Sequence, residues 1–144
     1  MGVEENRKNA RQFDESFNRR DWDSFRDCFA DDAVIHAVPE ELGLGQGPDA
    51  IVELSKMYVA AFPDIRSETL DSVFDGDLGA FRSRSTGTHE GKFMGIPASG
   101  RRIDVESAGF ARYDDEGKIV EGWEYLDNLA FMQQIGAIPE EPAG

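Results

Sequence analysis

The chain has 144 residues and sets 15 Lys and Arg against 29 Asp and Glu, a formal net charge of −14. That length suits a single domain, 1–144, able to bury a real core, and a hydrophobic content of 40% with ten Phe argues against disorder. The charge excludes nucleic acid and anionic membrane surfaces as partners, because both repel it.

The acids are spread along the chain and lysine is confined to Lys8, Lys56, Lys92 and Lys118. Such a surface is the kind kept soluble at high salt, so a halophilic source is expected. No apolar run reaches the length of a membrane span. The first residues, MGVEENRKNAR, lack the apolar centre of a signal peptide, which makes a cytoplasmic location the expectation. The single cysteine, Cys28, excludes an internal disulfide and reads as a buried structural thiol of a helix between Phe25 and Phe29.

In chain order, Glu4 to Arg20 places Ala10, Phe13 and Phe17 at helical spacing. Asp21 can cap a second, short helix that gathers Trp22, Phe25, Cys28 and Phe29 on one side. Residues 33–38 form a short strand ended by Pro39. A loop with three glycines runs from Glu40 to Gly47, and Pro48 opens a third helix with Ile51, Leu54, Met57, Tyr58, Ala61 and Phe62 on one stripe, closed by Pro63.

From Ile65 the pattern becomes strand-like, and Asp75-Gly76-Asp77 is a hairpin turn. In the next strand, Leu78 to about His89, Phe81, Ser83, Ser85, Gly87 and His89 share one face. Neither face is cleanly apolar, which fits either a wet cavity or a solvated sheet face. A loop over residues 93–100, a long strand Ile103–Tyr113, a turn at Glu116-Gly117, a strand Lys118–Leu126 and a closing helix Asn128–Ile135 follow. The tail from about residue 137 is expected to be loosely held. This order describes an α+β fold, a curved antiparallel sheet wrapped around helices.

Several stretches resemble the SnoaL-like polyketide cyclase (predicted ester cyclase) family of the NTF2-like superfamily. They are Ala61-Phe62-Pro63-Asp64, then Gly87-Thr88-His89-Glu90-Gly91 with Gly95-Ile96-Pro97 and Gly100-Arg101, then Gly117-Lys118-Ile119-Val120-Glu121 with Trp123 and Asp127, and finally Gln134-Ile135-Gly136-Ala137. The resemblance runs from about residue 8 to about residue 139. It implies an NTF2-like α+β barrel, a homodimer, and a deep apolar cavity that takes an apolar small-molecule ligand. It also implies an aldol-type cyclisation without metal or organic cofactor, driven by a carboxylate on the last strand.

Carried over by position, that carboxylate falls at Glu124, one methylene longer than the family's Asp, a displacement of about 1.5 Å. The family's assisting Gln and His fall at Ser107 and Gly109, its first-strand Asn is matched by His36, and one of its histidines is matched by His89. The expected acid/base set is therefore Glu124, Asp127, His36 and His89, with Ser83, Ser85, Ser107, Gly109, Tyr58 and Phe17 lining the pocket.

Each of these residues has a structural alternative. Asp127 precedes a helix and would cap it; Glu124 could be a solvated strand acid; either histidine could be held by hydrogen bonds inside the core. No spacing suits a metal site. Two other outcomes stay open on the same fold. One is an isomerase, dehydratase or epoxide hydrolase, the last requiring Arg82, Arg84 or Arg112 to point inward. The other is a non-catalytic binding or stress-related module.

Overall fold

The computed structural model describes residues 2–36 and 45–139. Pro39 as a strand stop, the first part of the glycine loop and the last residues of the tail lie outside the described residues. The elements are α1 (Val3–Arg19), α2 (Trp22–Arg26), β1 (Phe29–His36), α3 (Pro48–Ala61), β2 (Arg66–Asp75), β3 (Leu78–Thr88), β4 (Arg102–Tyr113), β5 (Ile119–Leu126) and α4 (Asn128–Gln134). Among the described residues, no helix is long and apolar enough to cross a membrane.

The first strand begins at Phe29, earlier than its sequence pattern suggests, because Asp31 and Asp32 stand exposed on it while Phe29 and Ala33 are buried. Cys28 is not in a helix. It sits in the turn between α2 and β1, buried, and desolvation pushes its thiol up to about 12.

The sheet order is β1-β5-β4-β3-β2. Four strands run antiparallel in sequence, while β1 crosses to pair with β5 in parallel, His36 opposite Trp123 and Ile35 opposite Gly122. The space above Gly122 is filled by the Ile35 side chain of β1, whose Cδ1 lies 2.6 Å from where a Cβ would stand.

α1 is tied across the concave side by side-chain amides. Asn9 Nδ2 donates to Cys28 O at 2.9 Å and Asn6 Nδ2 to Gly76 O at 3.3 Å. Asn18 exchanges two bonds with the backbone of Ser67, at 2.8 and 2.9 Å. That last pair also occupies backbone groups of β2, an edge strand whose free groups would otherwise invite pairing.

Phe25, 1% exposed, is the hub of an aromatic cluster, with ring centroids of Phe13, Phe29, Trp22 and Phe17 within 4.9 to 6.0 Å. A second core gathers Phe62, Ile65, Phe93, Ile103, Val105, Phe131 and Ile135 beneath α4. The chain beyond α4 turns back on it, Ala137 N–H donating to Met132 O at 2.9 Å.

Candidate active site: an apolar cavity with two carboxylates

Between the two cores lies a cavity of about 420 Å³, within the size range of small-molecule sites. One end is walled by Phe25, Phe29, Ala111, Tyr113 and Ile119, the other by Ile65, Ile103, Leu126 and Phe131. Polar side chains form a belt between them, and strand register explains how. Thr69 stands opposite Ser83 and Ser83 opposite Ser107, with Ser67 opposite Ser85 alongside. All five hydroxyls line the cavity, since alternate residues of a strand share a face.

Of the expected site residues, Glu124, Ser83, Ser85, Ser107, Gly109, Tyr58 and Phe17 are on the cavity wall. Glu124 pairs with Gly109 across β5 and β4. A Cβ at position 109 would come within 3.0 Å of Glu124 Oε2 and 2.6 Å of Trp123 O, so the missing side chain is the room in which the longer acid folds down. By surface area Glu124 is exposed, yet it lines the cavity and protein crowds its carboxylate. Desolvation raises its carboxyl above the usual range; a hydrogen bond from Ser107 opposes this and the charge of Asp14 adds to it. The Tyr58 hydroxyl is likewise held un-ionised by burial and by the nearby Glu124.

The structure does not bring Asp127, His36 or His89 to this wall. Asp127 caps α4, its Oδ1 accepting from Ala130 N–H at 3.0 Å. His36 Nε2 lies 2.7 Å from Glu121 Oε2 and its ring stacks on Trp123 at 5.6 Å. His89 is fully buried and stacks on Phe62 at 5.2 Å. Its Nδ1 accepts from Ser99 N–H at 3.2 Å and lies 2.9 Å from Ser99 Oγ. Asp127 and His36 each have a polar partner outside the cavity, whereas His89 is held by Ser99 at Nδ1 while its buried Nε2 has no hydrogen-bond partner among the described residues.

Asp14, Asn9, Ser67, Thr69 and Asn128 also line the cavity and were not singled out in the sequence. Asp14 accepts from Thr69 Oγ1 at 2.6 Å, and burial raises its carboxyl despite that bond. A signal for it existed: Asp14 is four residues after Ala10 and three before Phe17, squarely on the apolar stripe of α1.

Among the described residues, no Lys or Arg lines the cavity. Arg82 pairs with Asp71 and Glu106, Arg84 with Asp104 and Arg112 with Asp77, all with exposed side chains. The inward arginine required by an epoxide-hydrolase arrangement is therefore missing from the wall. Among the described residues no group of three His, Cys, Asp or Glu is placed to hold a metal ion.

A curved five-stranded sheet closed by helices over an apolar, acid-bearing cavity is an NTF2-like α+β fold. More narrowly, the chain belongs to the SnoaL-like polyketide cyclase family, whose model matches residues 8–135. IdmH from Streptomyces antibioticus, a candidate polyketide cyclase, is 31% identical over 91% of this chain and 98% of its own, with a TM-score of 0.78. AclR from Streptomyces galilaeus, a candidate hydroxylase, is 25% identical over 98% of this chain and 87% of its own, with a TM-score of 0.81. TsrD from Streptomyces laurentii, 22% identical over 96% and 99%, shares the fold at a TM-score of 0.84. Among curated proteins, none matches the chain.

Proposed function

We propose that this family member performs acid/base chemistry on an apolar carbonyl compound held in the cavity, an aldol-type cyclisation or an isomerisation, with Glu124 as the base and no cofactor. The observation that carries this reading is a carboxylate set into an apolar wall with no cation to fix its charge. An ionised carboxylate in that setting gains from taking a proton, and its raised carboxyl moves proton exchange toward neutrality. Glu124 would remove the proton from the carbon beside the carbonyl. The C–H electron pair becomes the C=C bond of an enol or enolate, and the carbonyl π pair moves to oxygen. In a cyclisation the nucleophilic carbon then attacks a second carbonyl, and protonated Glu124 returns its proton to the new alkoxide.

The two apolar ends and the central hydroxyl belt fit a ligand that is apolar at both extremities and oxygenated between. The differing names of IdmH and AclR place different reactions on one fold, so the assignment rests on the residues rather than on the architecture.

The test is exchange of the α-hydrogens of 2-tetralone, a bicyclic aromatic ketone, followed by NMR in D₂O. Glu124→Gln should slow the catalysed exchange by about 100-fold or more. Exchange in Glu124→Gln at the wild-type rate would remove Glu124 as the base and favour a non-catalytic binding module.

A further inference from the structure

α1 sends polar groups into the cavity that the Glu124 reading leaves without a task. Asp14 accepts from Thr69 and meets no basic side chain on the cavity wall. One full turn and a residue earlier, Asn9 is buried at 7% exposure; its Nδ2 is used by Cys28 O, while its Oδ1 has no hydrogen-bond partner among the described residues. A buried acceptor without a donor costs free energy unless a ligand or water supplies one. The α1 wall is thus arranged to meet the polar part of a bound molecule, opposite the strand that carries Glu124.

We propose that Asp14 is the second proton-transfer residue of the cavity, the acid that faces the carbonyl oxygen while Glu124 takes the proton from the neighbouring carbon. This rests on the reading of Glu124 as base. In the forward step the C–H bond breaks and its proton goes to Glu124. The electron pair forms the C=C bond, and the carbonyl oxygen takes the proton of Asp14. Asp14 ends ionised and Glu124 protonated, with nothing oxidised or reduced.

The two must then be reset, and the hydroxyl belt spans the gap between them. Thr69 bonds Asp14, Ser83 faces Thr69, Ser107 faces Ser83, and Ser107 is close enough to Glu124 to lower its carboxyl. Residues directly opposite across strands have Cβ atoms about 5 Å apart, and a hydroxyl can donate and accept together. A row of that kind, with a water where the gap is widest, can return one proton across the sheet.

The two carboxyls have different neighbours. Asp14 faces Thr69 from β2, Glu15 from its own helix and the more distant Tyr113 and Cys28, and burial is the largest influence on it. Glu124 faces Ser107 from β4, Tyr58 from α3 and Asp14 from α1. Two carboxyls that feel each other and no cation lose their protons in two steps that belong to the pair, so a range of pH exists in which one is protonated and the other is not.

The test combines carboxyl ¹³C titrations of the wild type, Asp14→Asn and Glu124→Gln with 2-tetralone exchange as a function of pH. Asp14→Asn keeps an acceptor for Thr69, and an unchanged far-UV spectrum and melt would show that it folds. Removing either carboxyl should lower the midpoint of the other. Wild-type exchange should be bell-shaped in pH, and Asp14→Asn should lose the alkaline limb and at least tenfold in rate, with Asp14→Glu restoring part of both. Midpoints that ignore the replacement overturn the pairing, as does wild-type exchange with an intact alkaline limb in Asp14→Asn. If Asp14→Asn is silent while Glu124→Gln is inactive, this proposal falls and the base stands. If Glu124→Gln is silent, or the wild type catalyses no exchange, the base itself falls and the pair with it.

Discussion

Asp127 and Glu124 are three residues apart and do opposite work. The Asp127 carboxylate takes a backbone N–H of α4, so Asp127→Ala should cost about 1 kcal/mol, visible in a urea melt, while 2-tetralone exchange stays within about twofold of wild type. Glu124 is held where its charge is poorly solvated. Its folded carboxyl is raised, so the stability it contributes is full below the unfolded carboxylate range near pH 4 and is lost as pH rises through the folded value. Melting temperatures of Glu124→Gln against pH should therefore fall less steeply than those of the wild type above that range. Equal slopes would mean that the carboxylate is solvated after all. Asp64 works in the other direction: two bonds from Thr88, at 2.7 and 2.8 Å, lower its carboxyl, and its contribution is lost only as pH falls.

At the scale of elements, α1 and α2 form the lid of the cavity, and Phe25 holds them to β1. Phe25→Ala should destabilise the protein by roughly 3–5 kcal/mol, measured by denaturant unfolding, and should weaken binding of any cavity ligand, because the ring is also part of the wall. Most elements could be read from periodicity: the caps Asp21 and Asp127 and the hairpin at Gly76 are local signals and stand where the pattern placed them, and the stripe of α3 holds except that Met57 is exposed and Val52 is buried in its stead. The parallel pairing of β1 with β5 was not legible, since it joins residues some 90 positions apart and leaves no local trace. Asp14 was missed for another reason. A charged residue within an amphipathic helix reads as solvent-facing until the partner surface is known, and here that surface is a cavity with a threonine waiting. His36 and His89 show the converse: aromatic stacking and a carboxylate or serine nearby hold them outside the cavity, His89 with its buried Nε2 left without a partner among the described residues, which a residue type alone does not reveal.

For the whole molecule, the dominant long-range quantity is the net charge of −14. The cross-strand arginine pairs on the outer sheet face are exposed and each is worth little in water, so they do not offset that repulsion. Raising KCl from 0.1 to 2 M should therefore raise the melting temperature, by about 3 °C for each kcal/mol of repulsion relieved. A flat or falling curve would rule out self-repulsion as the main electrostatic burden and with it the case for a halophilic source.

The setting of Gly109 also decides what this position can hold. A Cβ there would meet the Trp123 carbonyl at 2.6 Å whatever acid stands at 124, and Glu124 Oε2, at 3.0 Å, is the movable end of a long side chain. Position 109 is thus closed to a side chain by the backbone of β5 first and by the acid second, so shortening Glu124 alone would not make room for one.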